Sequence, residues 1–327
     1  MAVYTEVSFD EAAEFVRQFD LGELQSLSPC SGGIENTNYF LTTERGDYVL
    51  TLFERLSFEQ LPFYLELMQH LANGGIAAPK PEANTSAAIL NWLKGKPAAI
   101  VNKLGGRSEL NPDEAHCSKT GDMLARMHLA GQSFAKQQPN LRGLAWWMQT
   151  TPSVLPHVSA GQRNLLLSEL AYQNHIAASS LYKALPVGVI HGDLFRDNVM
   201  FDSGELTGFF DFYFAGCDVL LFDIGVCLND WCVDLPTGQH DAERAAAFMA
   251  AYEAVRPLRA QERTLLPAMA RAAALRFWIS RLWDFCLPRD AALLTAHDPA
   301  HFERVLSHRV QQPLTYAHAT ESLVTSS

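Results

Sequence analysis

The chain has 327 residues, 48% hydrophobic and 19% charged, which fits a globular protein with a core large enough for two lobes. A formal net charge of −11 argues against a nucleic-acid backbone as partner, although it leaves room for a small phosphate-bearing ligand neutralised locally. No uncharged apolar run approaches the ~18 residues of a membrane span. Met1–Asp10 lacks a secretory pattern, and the cysteines form no Cys-x-x-C pair, so the chain reads as cytoplasmic with reduced thiols.

Ser8-Phe9-Asp10-Glu11 is a capping box, and Phe9, Ala12, Ala13, Phe15, Val16 and Phe19 form an apolar stripe. Together they predict a helix ending near Gly22. Leu24–Pro29 and Tyr39–Thr42 read as strands around the loop Ser31-Gly32-Gly33-Ile34-Glu35-Asn36-Thr37-Asn38. Glu44–Asp47 then turns into Tyr48–Phe53, rich in β-formers. A second capping box, Ser57-Phe58-Glu59-Gln60, starts a helix that stops at Asn73-Gly74-Gly75, with Pro62 kinking or delaying its first turn. Ala87–Leu93 and Ala98–Leu104, joined by Lys94-Gly95-Lys96-Pro97, make an antiparallel pair.

The character changes after Gly105-Gly106. Asn111 and Pro112 read as N-cap and first residue of a helix ending at Gly131. Phe134–His157 is poorly patterned and is expected to be a loop or insertion. Helices are expected over 160–185, 218–232, 241–255, 259–286 and 299–312, with no repeat or low-complexity tract. Strands first and helices after give an α+β chain in two lobes, residues 1–104 and 105–327.

Between the helices of the second part lies His191-Gly192-Asp193-Leu194-Phe195-Arg196-Asp197-Asn198, flanked by the apolar segments Val187–Ile190 and Val199–Phe201. A turn at Asp202-Ser203-Gly204 leads to Leu206–Phe210 and Asp211. Strand, polar loop and hairpin thus gather two Asp residues and an Asn. A carboxylate to accept a hydroxyl proton, with a carboxamide and a second carboxylate to hold Mg²⁺ against nucleotide phosphates, is the equipment of phosphoryl transfer. Turn chemistry alone accounts for a lone Asp-Asn pair, and a divalent-metal hydrolase also uses His-x-Asp. The joint spacing favours a kinase.

With His191, Asp193, Asn198 and Asp211 in this order, the chain resembles the aminoglycoside/choline phosphotransferase branch of the protein-kinase-like fold. Several stretches resemble the homoserine kinase family within it: Asp47–Glu54, Leu67–Leu71, Asp211–Ala215, Cys227–Cys232, Ala274–Phe277 and Arg281–Asp284. The resemblance spans nearly the whole chain. It implies a small, mostly antiparallel β N-lobe with one main helix that binds ATP, and a larger helical C-lobe carrying the catalytic hairpin. It also implies that Asp193 is the general base, that Asn198 and Asp211 hold Mg²⁺, and that His191 braces the loop. Ser31, Gly32, Gly33, Asn36 and Asn38 would cover the phosphates, since adjacent glycines let backbone N–H groups approach oxygens. Asp223, entering a helix after the metal loop, would accept backbone N–H groups and hold the catalytic loop, whereas Asp218 is a candidate cap. Protein kinases carry a Lys on the third strand where this chain has Thr51. Arg55 and Lys103 are the basic candidates to replace it, and Glu66 lies on the helix that would pair with it.

Homoserine implies a guanidinium for its carboxylate and a carboxylate for its ammonium. The apolar stretch Leu275–Phe285 carries Arg276, Arg281 and Asp284, with the acid between the two bases in helical projection. These residues either bind substrate or form an internal ion pair. Asp230 and Asn229 are further substrate candidates by resemblance. An alternative substrate is a choline-like or aminoglycoside-like alcohol, its cation boxed by Tyr213, Trp231, Trp278 and Trp283. A non-catalytic nucleotide-binding scaffold, prompted by Thr51, is opposed by the joint presence of Asp193, Asn198 and Asp211. Oligomeric state is not legible in the sequence.

Overall fold

The computed structural model describes residues 5–30, 36–287 and 298–315. Helix α1 (Phe9–Val16) leads into β1 (Leu24–Pro29), β2 (Thr37–Thr43), β3 (Gly46–Leu52), α2 (Leu61–Asn73), β4 (Asn91–Leu93) and β5 (Lys96–Asn102). These five strands make one antiparallel sheet in the order β1-β2-β3-β5-β4. The buried stripe Ala12, Phe15 and Val16 of α1 closes a small core with Leu41, Leu50, Leu52 and Ile100. Each such large apolar side chain contributes about 1.5–3 kcal/mol on burial.

The second capping box is a turn rather than a helix start. Ser57 N–H donates to Gln60 Oε1 and Gln60 N–H to the Ser57 carbonyl. Helix α2 then begins at Leu61 with Pro62 in its first turn, where the missing N–H costs nothing. Its buried face (Phe63, Tyr64, Leu67, Met68, Leu71) belongs to the large core that runs through the second part of the chain, so α2 ties the sheet to the helices.

The rest of the described chain is β6 (Arg107–Ser108), α3 (Glu114–Ala130), α4 (Leu144–Val154), α5 (Ala160–Ala178), α6 (Ser180–Lys183), β7 (Val187–Ile190), β8 (Val199–Asp202), β9 (Glu205–Phe209), β10 (Gly216–Val219), α7 (Leu220–Asp230), α8 (Ala242–Val255), α9 (Ala260–Cys286) and α10 (Ala300–Gln311). Helices α7 and α9 cross closely at Gly225, where a Cβ would stand 2.7 Å from the Met269 carbonyl oxygen. The fold is α+β, a small antiparallel lobe followed by a mainly helical one.

Four further expectations are corrected. Helix α1 stops at Val16 because Phe19 leaves the helix to bridge Asn84 and bury its ring. Helix α3 begins at Glu114, not at Pro112: Asp113 caps it by accepting from His116 N–H, and Asn111 N–H is turned to Glu109. The segment 134–157 contains α4, whose buried Trp147, Thr150, Thr151 and Val154 keep helical spacing despite Pro152. Strand β10 was not foreseen. It pairs antiparallel with β7, Gly216 opposite Ile190, and so draws the two loops of the hairpin region together.

Candidate active site

Strand β7 delivers the chain into His191, and the pairing Val199↔Phe209 of β8 and β9 brings Asp211 back beside it. Two bonds lock the loops to each other and a third closes the first loop on itself. Phe210 N–H donates to the Asn198 carbonyl at 3.0 Å, His191 Nε2–H donates to the Phe210 carbonyl at 2.9 Å, and Asn198 Nδ2 donates to the Asp193 carbonyl at 2.8 Å. With Nε2 carrying the proton, His191 Nδ1 accepts from Asp193 N–H at 3.3 Å. Burial pushes the imidazole pKa below its ordinary value against the opposing field of Asp223, so the ring stays neutral and braces the turn.

Two backbone positions show how closely the loops approach. Gly192 has φ +77°, and a Cβ there would lie 2.7 Å from the Phe214 carbonyl oxygen, so no other residue fits. Asp211 takes φ +64°, ψ +58°, a left-handed conformation that costs a non-glycine residue energy and is typical of functional turns.

Asp223 anchors the turn at His191-Gly192 from below. Its Oδ2 accepts from His191 N–H at 2.6 Å and its Oδ1 from Gly192 N–H at 2.7 Å, with no exposure to solvent. Asp218 is partnered by Asn140 Nδ2 at 2.8 Å and by Val219 N–H, and burial raises its pKa. Asn140 belongs to the segment expected to be a loop, which is stitched to β10 by Cys217 N–H to the Gln138 carbonyl.

Around Asp193 the charges alternate. Arg276 Nη1 is 3.8 Å from Asp193 Oδ1, and its guanidinium lies on the rings of Phe277 (3.7 Å) and Phe214 (5.2 Å). Arg281 stacks on Phe302 at 4.4 Å and faces Asp230, Asp193 and Asp197; burial lowers its pKa against these carboxylates. Asp284 is exposed at the end of α9. Arg196 is buried, and its N–H and Nε donate to Asp230 Oδ2 at 2.7 and 3.1 Å. Asp230 is therefore committed at one oxygen to Arg196 in the 191–198 loop. Asn229 is corrected outright. It is fully buried, donates to the Ala270 carbonyl and accepts from Arg309 Nε, fastening α7 to α9 and α10.

Arg142 was missed by sequence reasoning. Its guanidinium stacks on Trp146 (4.5 Å) and Trp283 (5.4 Å) and lies 6.0 Å from the Phe214 ring that Arg276 also covers. An Arg four residues before a Trp pair was the available signal. The aromatic box does not assemble, because Trp231 and Trp278 are fully buried, and Trp231 Nε1–H is spent on the Leu194 carbonyl.

On the sheet side, Ser31, Gly32 and Gly33 lie outside the described residues. Asn36 and Asn38 are half-buried, and Asn38 Oδ1 accepts from Thr51 Oγ1 at 2.7 Å across the β2–β3 pair. Thr51 thus uses its hydroxyl on Asn38, across the β2–β3 pair, where a protein kinase would carry a lysine. Lys103 is exposed, its ammonium over Phe40, and Glu66 is paired with Lys136 at 2.8 Å. Asn198 Oδ1 and the Asp211 carboxylate, on adjacent and bonded turns, are hard oxygen donors of the kind Mg²⁺ takes.

The phosphotransferase enzyme family model matches residues 26–258. A homoserine kinase of Polaromonas naphthalenivorans (strain CJ2) is 67% identical over 313 residues, covering 96% of this chain and 99% of that one. A homoserine kinase of Janthinobacterium sp. (strain Marseille) is 54% identical, covering 100% and 99%. Among solved structures, amicoumacin kinase hAmiN in complex with AMP-PNP, Ca²⁺ and Ami superimposes with a TM-score of 0.70 at 16% identity, covering 94% of this chain and 95% of that one.

Proposed function

The chain belongs to the homoserine kinases within the phosphotransferase enzyme family, and from that premise we propose that Asp193, Asn198 and Asp211 carry its chemistry. The activity is ATP-dependent phosphorylation of the hydroxyl of L-homoserine to O-phospho-L-homoserine, a step of threonine biosynthesis. The observation that carries it is the 67% identity over nearly the whole length.

In our reading, residues 1–104 bind the nucleotide, and 105–327 hold the catalytic loop and substrate. Ser31, Gly32, Gly33, Asn36 and Asn38 cover the phosphates. Asp193 accepts the hydroxyl proton as the phosphoryl group arrives. A carboxylate suffices as base because the loose transition state postpones proton loss, so orientation outweighs basicity. Asn198 and Asp211 would hold Mg²⁺, which supplies neutralisation of phosphate charge when bound. The amide nitrogen of Asn198 is used on the Asp193 carbonyl, which leaves its oxygen as the donor for a metal. His191 and Asp223 keep this geometry.

Arg276 and Arg281 receive the carboxylate, and Asp284 with Asp230 receives the ammonium. Homoserine is short enough for its carboxylate to meet Arg276 while its hydroxyl meets Asp193, since the two side chains are in van der Waals range of each other. Among the described residues no helix is long and apolar enough to cross a membrane. We place the reaction in the cytoplasm on the strength of the unpaired cysteines.

The test is a panel of alcohols offered with Mg-ATP and scored for ADP release. L-homoserine should be used at least an order of magnitude more efficiently than choline or 3-aminopropanol. Preference for choline would move the reading to a different amino alcohol.

A further inference from the structure

Behind the catalytic loop runs a line of buried polar groups that phosphoryl transfer itself does not use. Asp223 Oδ2 is 3.2 Å from His128 Nε2, and His128 Nδ1 is 2.7 Å from the Tyr252 hydroxyl. Arg256 Nη1 donates to that hydroxyl at 3.1 Å, and its Nη2 donates to Glu262 Oε1 at 2.8 Å. The other Glu262 oxygen accepts from Arg259 N–H at 3.0 Å, at the start of α9. His128, Asp223, Tyr252 and Glu262 have no exposure, and Arg256 has 8%. The line joins α3, α7, α8 and α9.

Its direction follows from donor and acceptor counts. A guanidinium only donates, so the Tyr252 oxygen accepts from Arg256 and its one proton is aimed at His128 Nδ1. Nδ1 is then an acceptor, and the single proton of a neutral imidazole sits on Nε2, facing Asp223. Burial holds the His128 pKa below its ordinary value, which keeps the ring neutral and makes the choice of tautomer matter. The opposite tautomer would turn a lone pair on the carboxylate.

We propose that Tyr252 is a positioning residue of the kinase: by fixing the His128 tautomer it delivers a third donor to Asp223, and so holds the turn that presents Asp193. The proposal rests on the reading of Asp193 as the base. Asp223 already accepts from His191 and Gly192, and the third donor restrains the oxygen that binds His191.

The test combines spectroscopy with kinetics. In the ¹⁵N-histidine-labelled wild-type chain, His128 should carry its proton on Nε2, and in Tyr252→Phe a part or all of it should move to Nδ1. That variant should lose about tenfold in kcat, the worth of one net hydrogen bond, with KM for homoserine and ATP within about twofold of wild type. Gln at 128 turns its NH2 rather than its oxygen to the Asp223 carboxylate and has no tautomer to choose. Tyr252→Phe should therefore cost nothing further in a His128→Gln background. A wild-type Nδ1–H tautomer would overturn the proposal, as would an Nε2–H tautomer unchanged in Tyr252→Phe, an equal kcat loss from Tyr252→Phe in both backgrounds or a loss confined to melting temperature. Absence of homoserine phosphorylation in wild type would defeat the functional reading and leave the tautomer result standing.

Discussion

Arg276 Nη1 stands 3.8 Å from Asp193 Oδ1, with 4% of the arginine side chain exposed. The proposed base and the proposed carboxylate receptor are therefore neighbours. One short zwitterion can engage both, whereas an aminoglycoside has no carboxylate to offer the guanidinium. The guanidinium is also held flat by Phe277 and Phe214, so its donors are aimed before substrate arrives.

Replacement of the two arginines separates binding from packing. Arg281→Ala should raise KM for homoserine by ten- to a hundredfold, about 1.5–3 kcal/mol for a charge-assisted bond, while leaving KM for ATP nearly unchanged. Arg276→Ala should lower kcat as well, because it also faces Asp193. Steady-state kinetics with homoserine and 3-aminopropanol checks this. Loss of discrimination between the two substrates supports the carboxylate role, and a lowered melting temperature with unchanged KM would assign both arginines to packing.

Asp211→Asn should raise the magnesium concentration needed for half-maximal rate by tenfold or more. Asn tolerates the left-handed backbone of this position as well as Asp does, so the apo melting temperature should stay within about 2 °C, roughly the shift that 1 kcal/mol produces in a chain of this size. Magnesium titration at fixed ATP is the measurement. An unchanged requirement would make Asp211 a structural residue.

The buried histidines predict a pH dependence of stability. His128 and His191 are neutral in the fold and their pKa values are depressed, with burial the largest cause. The unfolded chain therefore binds more protons than the folded one below about pH 6.5. Stability present above that value is lost as pH falls, by about 1.4 kcal/mol per pH unit for each such ring. Denaturant unfolding between pH 7 and 5.5 should show a shallower decline for His128→Gln than for wild type. The difference between the two curves isolates this ring from Asp218, whose raised pKa acts in the opposite sense. Parallel curves would mean that His128 is not held neutral.

The hairpin was legible because its apolar segments, its Asp202-Ser203-Gly204 turn and its polar loop alternate within residues 187–211. Local patterning there coincides with tertiary structure. Helix α4 was hidden by Pro152 and by a composition of Trp and Gln, although its buried face keeps helical spacing. His128 carries no signal of its own in the sequence, since its partner Asp223 lies 95 positions away. Asp230 shows the same limit: the motif located it, but only the packing of α7 against the catalytic loop shows Arg196 claiming one of its oxygens. The expected loop at Ser31–Gly33 lies outside the described residues.

The most direct measurement follows the phosphorus. The purified chain, given Mg-ATP and L-homoserine, should yield one phosphomonoester on the homoserine oxygen per ADP, seen by ³¹P NMR. Asp193→Asn should slow that yield roughly 10²-fold or more with KM for ATP nearly unchanged. Release of inorganic phosphate without the ester, or an undiminished rate in Asp193→Asn, would contradict the account.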